Sequence, residues 1–176
     1  MLMKIKDIEL NNIKLIKAPF NENLIKAPFN ENLIKSPFNE NLINISYNNK
    51  ILEFQTPKVI IDDILTENDK NYLILKIYPT QASKIFYNFL NEFEKHISSI
   101  YSKEINCIFK QDTFKIKIPF KFAKPVIKIY KDDSLFNYYH LCKGMEIICL
   151  VNLSKLWITE NIYYNLSVNE ILITKS

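Results

Sequence analysis

Two spacings of apolar residues divide the chain. Between Thr80 and Tyr101 the apolar positions Ala82, Ile85, Phe86, Phe89, Phe93, Ile97 and Ile100 recur at steps of three and four, the spacing of one face of an α-helix. Thr80 carries a side-chain oxygen suited to an N-cap. The spacing therefore predicts one long helix over 80–101, its phenylalanine face turned to the core and Glu92, Glu94 and Lys95 mainly off the stripe. Elsewhere the period is two. Ile43, Ile45 and Tyr47 alternate with polar partners, Asn48-Asn49-Lys50 supplies turn residues, and residues 51–55 return, which reads as a hairpin. Thr56-Pro57 ends it, because proline cannot donate to a ladder.

Further strands are predicted over 72–78, 105–109, 114–118, 126–130, 145–153, 156–158 and 167–173. The only glycine, Gly144, stands where a Lys-Gly turn opens one of them. Short strands with irregular loops suit a small barrel or sandwich. The fold class is thus mostly β with one long amphipathic helix.

The N-terminal region is organised differently. Lys17-Ala-Pro-Phe-Asn-Glu-Asn-Leu-Ile25 recurs over 26–34 and again, with Ser36, over 35–43. A nine-residue unit with a proline in each copy is too short to build a helical solenoid. Near-identity points to recent duplication, and residues 1–41 read as an N-terminal arm, extended and partly mobile from residue 11 onward. Residues 42–176, including the helix, read as the folded domain.

A chain of 176 residues, 48% apolar and 13% aromatic, has enough apolar surface for one core. No apolar run approaches the roughly 20 residues of a bilayer helix, so the expectation is an intracellular protein without membrane contact. Cys107, Cys142 and Cys149 form no Cys-x-x-Cys pair, which argues against a disulfide framework or a zinc knuckle. The apolar neighbours of Cys149 favour buried structural thiols.

Charge is concentrated. From Lys103 to Lys131 there are eight lysines against Glu104 and Asp112, in a chain of net charge +4. Such a stripe is the footprint of a polyanion binder, although a solvated lysine face is the commoner meaning.

Catalytic patterns are absent by residue type. One glycine excludes a P-loop or a dinucleotide fingerprint, and a chain without arginine has no arginine finger. His140, Cys142 and Cys149 lack paired metal-ligand spacing. His96 reads as a half-exposed helix histidine. Asp132-Asp133 after Tyr130, and Asp62-Asp63, read as turns. No catalytic residue, metal or cofactor is expected.

What remains is lysine interleaved with aromatics. In residues 114–122 the even positions are apolar, while Lys115, Lys117 and Lys121 share the other face, as strand alternation requires. Lys128 and Tyr130 likewise point together, as do Lys155 and Trp157. A positive groove with aromatic rings for base stacking is the design of sequence-tolerant single-strand binders. These seven residues are the candidate DNA contacts, with Trp157 balanced between core and ligand surface.

The C-terminal third carries Leu141-Cys-Lys-Gly144-Met-Glu-Ile147, Leu153-Ser-Lys-Leu-Trp157-Ile158 and Glu170-Ile-Leu-Ile173. These segments resemble the closing half of the OB-fold single-stranded DNA-binding proteins of nucleocytoplasmic large DNA viruses, which are related to the podophage replication type. Residues 45–57, ending in Gln-Thr-Pro, resemble that family's early hairpin, and the long helix falls where its fold inserts one. The family's glycines before the tryptophan and in the next turn are replaced by Lys155-Leu156 and Asn161-Ile162.

The resemblance implies an OB-like antiparallel β-barrel that binds and protects unwound viral DNA in replication or recombination without catalysis. Its implied partners are single-stranded DNA and viral replication proteins, with self-association left open, and its implied place is the host cytoplasm or a viral replication site. The alternative is a structural virion or scaffold protein using the same β-domain for protein contacts.

Overall fold

The computed structural model describes residues 5–17 and 42–175; the rest of the repeat region, residues 18–41, lies outside the described residues. Two single-turn 3₁₀ segments, Ile5–Asp7 and Leu10–Asn12, lead into β1 (Ile13–Lys17). Then follow β2 (Leu42–Tyr47), β3 (Leu52–Gln55), β4 (Val59–Glu67), β5 (Lys70–Ile77), the helix α1 (Gln81–Tyr101), β6 (Phe109–Lys110) and β7 (Thr113–Ile118). The remainder is β8 (Phe120–Lys121), β9 (Lys124–Pro125), β10 (Lys128–Lys131), β11 (Ser134–Leu135), β12 (Glu146–Leu153), β13 (Lys155–Ile158), β14 (Ile162–Tyr164) and β15 (Leu166–Lys175).

Five strand paths close into a barrel. β4 pairs with β5 and β5 with β7, both antiparallel; β7 runs parallel to β15; β15 is antiparallel to β12; and β12 closes the ring against β3 and β4. This is an OB-like, mostly β architecture with one helix. At the β3–β4 corner Thr56 holds the seam together, accepting from Cys149 N at 2.9 Å through its side chain and donating its own N–H to Cys149 O at 2.8 Å. A second sheet, in the order β1-β2-β13-β14, extends from the barrel because β13 follows β12 after Ser154 alone.

Alternation explains the interior. Inward positions such as Leu73, Leu75, Phe114, Ile116, Val151, Leu153, Leu166 and Val168 are buried. The helix lays Phe86, Phe89 and Phe93 on Phe54, Phe114 and Tyr164 with ring centroids 5.2–6.2 Å apart. Thr80 caps the helix, its Oγ1 accepting from Ser83 N at 3.2 Å. The N-terminal segment is tied in as well. Ile8 is buried in the core cluster, and β1 pairs residue by residue with β2 from Ile13↔Tyr47 to Lys17↔Ile43.

Several expectations need correction. The turn at Asn48-Asn49 exists, but β2 and β3 join only through the Tyr47↔Lys50 bridge. Both instead run antiparallel to the continuous β12–β13 path, β3 against Leu150–Leu153 and β2 against Lys155–Trp157. Period-two spacing identifies strands and leaves their partners open. Asp62-Asp63 is no turn: both lie inside β4, where the register shifts between Ile61↔Leu75 and Asp63↔Ile74. A bulge of this kind accommodates an extra residue without ending the strand. The turn lies farther on, at Asn68-Asp69.

Of residues 105–109, only Phe109 belongs to a strand, and Ile105 makes a single bridge to Ile162. The buried helix stripe is Ser83, Phe86, Phe89, Leu90, Phe93, Glu94 and Ile97, whereas Ala82, Ile85 and Ile100 are exposed. Glu94 goes inside because Tyr164 donates to it. Among the cysteines only Cys149 is buried, its thiol pushed up to about 12 by desolvation; Cys107 and Cys142 are exposed.

Candidate nucleic-acid interface

The outward side of the barrel carries a polar row that crosses five strands. In register it reads Tyr72 on β5, Lys117 on β7, Ser167 on β15, Asn152 on β12 and Glu53 on β3. Lys117, Ser167, Asn152 and Glu53 each alternate with buried neighbours on their own strand, so strand geometry points them away from the core. At one end of this face the Asn68-Asp69 turn delivers Lys70; at the other, the bend from β12 into β13 delivers Lys155 and Trp157.

Lys70 and Lys155 both act electrostatically on Lys117. Its amine is held below the usual lysine value of 10.5, first by partial desolvation and then by the charges of Lys70 and Lys155. Among the described residues, none of these three lysines has a carboxylate within ion-pair distance. Three like charges acting on one another without a direct ion-pair partner store repulsion, which a phosphate would relieve.

Aromatic rings flank the cluster. Tyr72, next to Lys117 in the ladder, is an outward ring only 9% exposed, because Lys115 lies across it with Nζ 4.1 Å from the ring centroid. Trp157 is half-buried and on the same side of β13 as Lys155; its cross-strand neighbours are Tyr163, which is exposed, and Leu42. Trp157 stands outside the core cluster.

The other candidates lie along the continuation of β7. Lys115 is ion-paired with Glu67. Lys128, opposite Glu170 on β15, pairs with it at 3.9 Å, and Tyr130 lies two residues on, beside Leu172. Surface pairs of this kind are worth little, and both lysines can exchange their partner for a phosphate at small cost. Lys121 sits on the separate β8–β9 hairpin. The expected even-position packing fails there, since Phe122 is 88% exposed. The chain reverses at Phe122-Ala123, and the alternation that buries Phe114, Ile116 and Ile118 ends with the strand.

Lys70, Tyr72, Ser167 and Asn152 were not among the residues picked out by lysine density. Lys70-x-Tyr72 carries the same signal as Lys155-x-Trp157, a lysine and an aromatic two residues apart on a strand. Ser167 and Asn152 become neighbours only through the ladder. The Asp132-Asp133 turn is as expected, both residues having positive φ between β10 and β11. No group of three metal-ligating side chains occurs among the described residues, and no helix among them is long and apolar enough to cross a membrane.

No family model matches the chain, and no curated protein sequence does. Solved structures of one protein share its fold. The single-stranded DNA-binding protein from bacteriophage Enc34 aligns with a TM-score of 0.52 at 10% identity, over 93% of this chain and 90% of its own. The same protein in complex with single-stranded DNA aligns with a TM-score of 0.50 at 8% identity, over 76% of this chain and 90% of its own.

Proposed function

We propose that the chain is a sequence-tolerant single-stranded DNA-binding protein that protects unwound viral DNA in replication or recombination, acting by binding rather than catalysis and without a cofactor. The observation that carries this reading is the Lys70–Lys117–Lys155 cluster, without a carboxylate at ion-pair distance, on the side of the fold where β13 carries the half-buried ring of Trp157 next to exposed Tyr163. Positive charge meets the backbone, and rings meet bases through π-faces that every base possesses, so affinity carries little sequence information. An OB-like barrel presents oligonucleotides with this kind of strand face and the loops beside it. The fold shared with a phage protein solved on single-stranded DNA, and the resemblance of residues 141–173 to the viral family, support the same reading. Lys115, Lys121, Lys128 and Tyr130 extend the contacts along β7, β8 and β10.

The test is a titration of oligo-dT at several salt concentrations. Each phosphate neutralised on a single strand contributes about −0.7 to the slope of log affinity against log salt, so the three-lysine cluster alone contributes about −2. Lys117→Glu with Lys155→Glu should reduce the slope and weaken all sequences alike. A flat salt response, or equal affinity for duplex DNA, overturns the proposal.

A further inference from the structure

Among the described residues, four two-residue turns have both central residues at positive φ, each closed by a pair three residues apart: Asn48-Asn49, Asn68-Asp69, Asp132-Asp133 and Phe122-Ala123. The first three use Asn and Asp, whose short polar side chains tolerate the left-handed region. The fourth uses a bulky aromatic at φ 51° and an alanine at φ 59°, residue types that pay for that conformation. Local turn chemistry is thus satisfied three times and violated once, and the violation displays a phenylalanine ring that is 88% exposed.

The hairpin that carries it is firmly rooted. It leaves the barrel where β7 ends beside Ser167 of β15 and returns as β10 beside Glu170 of the same strand, so it rises from the line that holds Lys117 and Lys128. Its base is closed by Val126 N donating to Pro119 O at 2.8 Å, and Phe120 packs edge-on against Tyr138 at 5.6 Å. Around the tip the charge is of one sign. Lys121 and Lys124 pair across the turn, Lys121 Nζ is 5.5 Å from the Phe122 centroid, and residues 113–131 contain six lysines and no acid.

We propose that this hairpin is a stacking finger, in which Phe122 takes a base of the single strand as it leaves the face that carries Lys117 while Lys121 and Lys124 meet the flanking phosphates. An exposed ring set among lysines fits a polyanion that carries π-faces. The proposal rests on the single-strand reading above and adds a second base platform to it, distinct from Trp157.

The experiment replaces the tip with a favourable turn. Phe122→Asn with Ala123→Gly supplies the Asn-Gly pair that a type I′ turn prefers, so melting should be unchanged or raised. Oligo-dT affinity should nevertheless fall about 5- to 150-fold, the equivalent of one stacked base at ~1–3 kcal/mol. Phe122→Trp should keep wild-type affinity and place a fluorophore at the tip, quenched further by oligo-dT than Trp157 alone. If the turn variant melts normally and binds oligo-dT like wild type, the finger proposal is overturned. If it leaves DNA binding intact and instead abolishes self-association in light scattering, the ring is a protein contact and the proposal is likewise overturned. Wild-type chain that fails to bind oligo-dT at all refutes the single-strand reading itself, a result distinguishable from either.

Discussion

Lys117 of β7 stands directly across from Tyr72 of β5 in the ladder, and its amine is one whose proton the fold holds less firmly than water does. Its folded value lies below the ordinary 10.5, so folding confines a charge that the unfolded chain carries more easily. This penalty, from desolvation first and the charges of Lys70 and Lys155 after it, is fully present below the folded value and is relieved as pH rises through it towards 10.5; stability from this group therefore grows over that alkaline window. Affinity for DNA moves in the opposite sense, because a neutral amine offers nothing to a phosphate. Oligo-dT binding should weaken over this window in wild type, and Lys117→Arg should remove that part of the decline, since guanidinium stays charged. Identical pH profiles for the two proteins would separate Lys117 from the binding step.

Trp157 is half-buried on the outward side of β13, beside exposed Tyr163. Trp157→Ala should lower oligo-dT affinity by the ~1–3 kcal/mol of one stacked base. It should cost less stability than the ~3–5 kcal/mol that follows loss of a large ring from a core. Melting and binding measured on the same variant check both halves, and unquenched wild-type emission in saturating oligo-dT would exclude the tryptophan from the DNA path.

Tyr164 faces the opposite way, and its hydroxyl donates to the buried carboxylate of Glu94 at 2.6 Å. Desolvation first, and the Glu94 charge after it, push that hydroxyl well above the usual tyrosine value, so the donor stays protonated through neutral pH. Tyr164→Phe keeps the ring against Phe93 and removes only the donor, leaving a buried acceptor short of a partner at a cost of about 1–3 kcal/mol. Urea unfolding should show a lower midpoint with an unchanged slope, and oligo-dT affinity should not change.

Deleting residues 17–34 removes two of the three repeat units and leaves Lys35 to replace Lys17 ahead of β2. The connection between β1 and β2 shortens from 24 residues to six, still longer than the loops that join antiparallel neighbours. Loop closure becomes cheaper by about 1 kcal/mol for a fourfold shortening. The shortened chain should melt no lower than the full chain and bind oligo-dT equally well. A loss of more than a few degrees would mean that the repeated Pro-Phe units contribute packing.

The elements whose signal is local were legible without coordinates. The three- and four-residue steps from Phe86 to Ile97 specify a helix, Asn48-Asn49 and Asp132-Asp133 specify turns, and the alternation in residues 113–118 places Lys115 and Lys117 on the outer face, because burial on one side of a helix or strand imposes its own period on the residues. Partnership across the chain has no such local trace. That β2 and β3 share one long partner, that Asp62-Asp63 lies in a bulge, and that Lys70 and Lys155 both act on Lys117 from separate strands were decided by the closure of the barrel and by the continuation of β12 into β13. Phe122 shows the same division. The pattern of residues 114–122 treats it as one more inward residue, but a two-residue reversal after Lys121 takes it out of the ladder, and only the ladder decides which side of an alternating strand a ring occupies.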